Sequence, residues 1–343
     1  MTSRIGLAGF AALVVAVAAA PLVSTHYRTY ELGFVGIYLA ALLGLNILTG
    51  LTGQISLGHG AFMGIGAYTT AILVVDHGWR ALWTIPVAAV VTGLVGIGFG
   101  LAVTRFAGPY LALATFALPL TLTGIVKRFQ GFTGGSLGKN LPLLHSQLGL
   151  RTNPSLWLYI VAWSLALLLF VLAWAVARGR LGRSFRAVHD SEIASTANGI
   201  SARWVKTLAF GLSAFYCGAA GAVFAIGVAY VNPDTFPIDL SILLLTGVVI
   251  GGTGSLGGMV FGALFVEFIR TTWAPALVRA FTRVTTVHVN THAAGSPQVI
   301  YGLVLLLVLF AAPAGAGGLA RRLADLVPRL RRRAPSLSRP SGL

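Results

Sequence analysis

The 343-residue chain is 56% hydrophobic and only 9% charged, against roughly a quarter charged in a soluble globular protein, so water is not its main solvent. A formal net charge of +16 would point to nucleic acid in a soluble chain. Here the basic residues cluster beside apolar runs, the pattern of positive-inside anchoring in a lipid membrane, and no nucleic-acid partner is expected.

Crossing the ~30 Å hydrocarbon core takes about 20 helical residues, and several runs reach that length without a charge. Continuous apolar runs argue for helices, since barrel strands would alternate apolar and polar residues. The fold class is therefore all-α, a polytopic transmembrane helix bundle of about ten membrane segments. They fall roughly at 5–23, 32–51, 55–75, 81–104, 109–126, 155–177, 207–231, 239–251, 256–269 and 298–312. In the first, Arg4, an apolar run and Ala18 to Ala20 share features of a signal peptide. The length of the run and the spans after it favour an uncleaved first span.

Between the second and third spans, TGLTGQISLGHGAFMGIGAY, from Thr49 to Tyr68, is rich in glycine and carries Gln54, Ser56 and His59. Glycine permits positive φ and close helix approach, so this reads as a turn followed by a tightly packed helix. Two readings stand for the polar residues. They face a polar solute, or they satisfy one another and the broken backbone.

Farther along, Arg178, Arg180, Arg183, Arg186, Arg203 and Lys206 gather in one loop, and Arg321, Arg322, Arg329 and Arg331 to Arg333 in the tail. Both clusters are assigned to the cytoplasm. Parity agrees: six spans before the basic loop and four after it leave both termini cytoplasmic. Lys127, Arg128, Lys139 and Arg151 then lie outside, against the bias, and the larger clusters decide. Cys217 is the sole cysteine. It excludes an intrachain disulfide and a multi-cysteine metal site, and it reads as a small packing residue.

The segments 239–251 and 256–269 reach only about 20 Å at 1.5 Å per residue, so they are expected to be a broken pair that turns inside the protein. Such a turn is tolerated only where protein or a water-filled cavity satisfies the freed backbone, which points to the translocation pathway. Ser255-Leu256-Gly257 echoes Ser56-Leu57-Gly58, and a Phe follows each Ser at the same spacing, Phe261 and Phe62. Six expected crossings separate the two turns, which makes them a parallel repeat. Helix N-termini after such turns favour a carboxylate and exposed carbonyls an ammonium. On that reasoning Gln54, Ser56, His59, Thr253 and Ser255 line a substrate pathway, with Phe62 and Phe261 along its apolar side.

No catalytic residues, cofactor or metal are expected. There is no G-x-x-x-x-G-K-[ST] loop to cradle phosphates, and no HExxH, GxSxG or close carboxylate pair within the spans. Glu267, near the interior of an apolar segment, needs a partner at that depth, and Arg270 stands on its i,i+3 face.

The stretch GLNILTGLTGQISLGHGAFMGIGAYTTAIL resembles the signature region of the branched-chain amino acid permease family of ABC importers. TGGSLG at Thr133 to Gly138 and GRSFRAVHDSEIASTANGI at Gly182 to Ile200 are similar to further family motifs in the same order. The resemblance, of the M type, runs from about residue 32 to 312. It implies a permease domain over 1–320, with a cytoplasmic coupling loop at about 178–206 and a basic tail at 321–343, in the bacterial inner membrane.

The same resemblance implies alternating access driven by two separate cytoplasmic ATPase subunits, with a second permease subunit and a periplasmic or lipid-anchored substrate-binding protein. Arg183, Arg186, Asp190, Glu192, Ala194 and Gly199 stand at the positions of the family's ATPase-coupling helix. The stretch also suits a docking helix by composition, mixing charges with small residues between Gly182 and Gly199. The substrate so implied is a branched-chain amino acid; urea, short amides or another small polar solute are the alternatives. The near absence of buried charge argues against an ATP-independent transporter or channel.

Overall fold

The computed structural model describes residues 13–15, 17–21, 24–106, 108–142 and 153–273. The expected span 298–312, the tail 321–343, Arg151 and most of the span 5–23 lie outside the described residues. What is described is an all-α bundle with one two-residue β ladder.

Helix α1, His26–Asn46, starts where the Thr25 hydroxyl accepts the Arg28 N–H. It begins six residues before the expected 32–51 span and runs on through a π-helical turn, Ile47–Leu51. The chain then leaves the helix at Gly53 (φ +70°), and α2, His59–Val75, begins only after a non-helical stretch. The expected 55–75 span is corrected accordingly, because a left-handed glycine ends one helix before the next can start.

Helices α3, Ala81–Val103, α4, Pro109–Arg128, and α5, Pro154–Arg178, follow. Two short helices come next, α6, Arg180–Asp190, and α7, Glu192–Ala197. The long α8, Ala202–Val228, takes Arg203 and Lys206 into its first turns, where the sequence suggested loop. The expected broken pair is α9, Ile238–Gly251, and α10, Gly258–Phe268. Six helical stretches among the described residues are long and apolar enough to cross a membrane, with α2 shorter.

Small residues set the packing, since lipid gives little hydrophobic push between helices and close backbone approach supplies contact. Helices α1 and α8 are the buried axes of the bundle. They run antiparallel: Phe34 meets Phe224 edge-on at 5.6 Å, and Cys217 Sγ lies 3.8 Å from the Ala41 carbonyl oxygen. Gly93, Gly96 and Gly100 of α3 lie against the Phe210 to Phe215 stretch of α8, and Gly66 of α2 lies on the backbone of Gly218. On the other side of α1, Gly36 abuts Ala162 of α5, and the Leu32 carbonyl accepts Trp163 Nε1–H at 2.9 Å.

The two ends of the bundle differ. At one, β1, Lys139–Asn140, pairs antiparallel with β2, Tyr230–Val231. There Lys139 Nζ reaches both Asp76 carboxylate oxygens at 2.5 Å, and Lys127 lies 3.8 Å from Asp234. The opposite end carries the two glycine-rich turns together with α6 and α7.

Candidate translocation path and coupling segment

The first turn is held by hydroxyl groups from neighbouring helices. Ser56 Oγ accepts the Gly58 N–H at 3.3 Å and lies 3.0 Å from His59 Nδ1. His59 Nε2 stands 2.6 Å from Ser213 Oγ on α8, so the ring bridges two serines, donating from one nitrogen and accepting at the other. Thr115 of α4 accepts the Leu57 N–H at 2.9 Å, and Ser241 of α9 accepts the Gly60 N–H at 2.9 Å. These are donors that a helix start leaves without an intrahelical acceptor. In this conformation Ser56 and His59 are fully buried, Ser56 satisfying the Gly58 N–H and His59 meeting two serine hydroxyls. Gln54 is different: its Nε2 donates to Thr52 Oγ1 at 2.9 Å, while its buried Oε1 has no hydrogen-bond partner.

The second turn repeats this design. Gly252 (φ +89°) precedes Ser255 by three residues, as Gly53 precedes Ser56, and Ser255 Oγ accepts the Gly258 N–H at 3.2 Å. Thr253 and Gly254 are exposed, and Ser255 is half-buried. The two turns meet: Asn46 Oδ1 accepts the Gly254 N–H at 2.8 Å, and the Gly50 Cα faces the Gly254 backbone where no side chain would fit.

The two phenylalanines are not equivalent. Phe62 is fully buried, edge-on to His59 at 5.6 Å and to Phe99 at 6.4 Å, whereas Phe261 is 58% exposed on the outer face of α10. Among the described residues α2 is enclosed by other helices while α10 leaves one face outward, so a shared spacing after Ser gives the two rings different surroundings. Glu267 is buried, and the Arg270 guanidinium carbon lies 5.8 Å over the Tyr38 ring.

The stretch expected to couple to an ATPase is two helices, where one docking helix was expected. Ser191 is extended and its Oγ accepts the Ala194 N–H, which ends α6 and caps α7. Gly182 lies inside α6, tight against the carbonyls of Val176 and Ala177, so it marks no boundary. Arg183 and Arg186 turn back to the Arg178 and Ala177 carbonyls at the C-terminus of α5, a favourable place for cations. Gly199 (φ +79°) follows α7, with the Ile200 N–H returning to the Ser195 carbonyl.

Phe185 and Val188 bury the inner face of α6, and its His189 side chain lies beside Gly53. Glu192 pairs with Lys206 at 2.5 Å. Asp190 and Ala194 are exposed, and Ile193 is 86% exposed.

Asn46, Thr115, Ser213, Ser241 and His189 were missed by sequence reasoning. For Asn46, Ser213 and Ser241 the available signal is a lone polar residue in an apolar run. No group of His, Cys, Asp and Glu able to hold a metal occurs among the described residues.

Comparison with known proteins bears on the same stretch. The family model described as the permease component of the branched-chain amino acid transport system matches residues 28–313. The LivM permease protein of the high-affinity branched-chain amino acid transport system of Escherichia coli is 32% identical over 258 residues, 68% of this chain and 60% of that protein. LivM of Salmonella typhimurium matches to the same extent. The autoinducer 2 import system permease protein LsrC of Shigella flexneri is 27% identical over 228 residues, 64% of each chain. This chain spans about 60% of the length of the LivM proteins. No solved structure matches significantly.

Proposed function

The chain belongs to the permease-component family of branched-chain amino acid transport systems, and from that premise we propose that it is a membrane-spanning permease subunit of an ABC importer that moves branched-chain amino acids by alternating access. The observation that carries this reading is the seat of α6 and α7. Their buried residues grip the bundle, Ile193 is left uncovered, and His189 touches the first glycine turn. A push on this segment from outside the bundle reaches the first turn directly, and the second through the contact of Gly254 with Asn46.

On this reading the α6 and α7 end is cytoplasmic and docks on an ATPase subunit, and both termini are cytoplasmic. Residues 1–320 form the permease domain and 321–343 a basic tail. The partners are a second permease subunit, two ATPase subunits and a substrate-binding protein. The chain itself has no ATPase site. The likeness to LsrC supports a second reading, a different small polar solute. Uptake of labelled leucine by proteoliposomes holding the whole complex tests the substrate; carriage of urea or autoinducer 2 with no leucine would reject it. Robust ATP hydrolysis by the isolated chain would reject the subunit's assigned role.

A further inference from the structure

Three buried polar atoms without hydrogen-bond partners lie on residues at the end of α1 and just beyond it, Asn46 Nδ2, Thr49 Oγ1 and Gln54 Oε1; Asn46 meets Gly254 of the second turn, and the Gln54 N–H returns to the Leu48 carbonyl at 3.3 Å. Asn46 is 1% exposed and Gln54 5%, and buried polar atoms are ordinarily paired. The Asn46 amide is not ambiguous in orientation. The Gly254 N–H can only donate, so the atom it meets is the oxygen, and the unpaired atom carries two N–H donors. The three residues flank or lie in the π-helical turn Ile47–Leu51, a break that recurs at functional sites.

We infer that Asn46, Thr49 and Gln54 form a subsite for the amino and carboxylate groups of the transported solute, closed here by the hydrogen bond from Gly254 to Asn46. The inference rests on the importer reading above. When the turns part, the Asn46 amide and the Gly254 N–H supply donors for a carboxylate. Gln54 Oε1 and Thr49 Oγ1 supply acceptors for an ammonium. None of the three side chains carries a formal charge, which matches a solute of zero net charge that must also be released. The same contact is then a latch: solute and Gly254 compete for one side chain, so loading requires separated turns.

The test uses the complete importer in proteoliposomes, reading labelled leucine uptake and amide hydrogen exchange across residues 252–257. Asn46→Asp retains an acceptor for Gly254, removes the N–H donors and sets an anion against the carboxylate. Leucine uptake is expected to fall at least tenfold, with exchange and co-purification of the ATPase subunits at wild-type levels. Asn46→Leu, neutral and of similar size, removes latch and donor together; uptake falls and exchange rises. Wild-type uptake in either variant overturns the proposal. So does an Asn46→Asp variant whose lost uptake comes with raised exchange, because Asn46 would then be a latch alone. A wild-type complex that ignores leucine defeats the importer reading before any variant is compared, which separates that failure from this one.

Discussion

The imidazole of His189 rests against Gly53: a Cβ built on that glycine would lie 3.1 Å from His189 Cδ2 and 3.3 Å from Nε2. Gly53 is also in the left-handed region at φ +70°. One residue thus ends the first helix and receives α6, the proposed coupling segment.

Gly53→Ala should therefore act twice, through about 1–2 kcal/mol of left-handed strain and by pressing on His189. We expect the complex to assemble and hydrolyse ATP while transporting less solute per ATP. Adding His189→Ala should recover part of that loss by restoring room. The ratio of uptake to hydrolysis checks it, and an unchanged ratio in Gly53→Ala would deny the contact any role in coupling.

Glu192→Ala removes the partner of Lys206, a pair that joins a buried ammonium to a half-exposed carboxylate. Membrane insertion should be intact, while docking of the ATPase subunit weakens because α7 loses its tie to α8. Normal uptake and normal co-purification would make α7 a passive loop.

Ser213→Ala takes away one of the two hydroxyls held by His59. Leaving a buried ring nitrogen unpaired should cost about 1–3 kcal/mol, read as a lower thermal midpoint in detergent. An unchanged midpoint would mean the bridge does not hold the first turn in place.

A Cβ on Gly218 would lie 2.5 Å from the Thr92 side chain and 2.8 Å from the Ala88 carbonyl oxygen, both on α3. Gly218→Leu should abolish accumulation of folded protein, since α3 would have to move away from the axial helix α8. Gly98, which faces open space, should accept Ala with little change in yield. Equal yields of Gly218→Leu and wild type would contradict this packing.

The fold class was legible in the sequence because long uncharged runs admit few structures other than helices in lipid. For the pair 239–251 and 256–269 the glycine-rich break was legible but the lengths were not: Pro233–Gly251 is long enough to cross, α10 continues through a π-helical turn, Ile269–Trp273, and the turn between them is exposed at Thr253 and Gly254. The starts of α1 and α8 were misjudged because charged residues at a membrane surface remain helical, and hydropathy reports only the apolar part of a helix.

The sequence alone determined that each glycine-rich turn breaks a helix, since glycine reaches positive φ without strain, and it marked Ser56 and Ser255 within those turns, whereas the structure identified Gly53 and Gly252 as the residues at positive φ. Only the tertiary structure decided that the two turns touch through Asn46 and Gly254, that Phe62 is enclosed while Phe261 faces outward, and that His189 reaches Gly53. Those outcomes depend on how helices far apart in the chain cross one another, and local propensity carries no record of that.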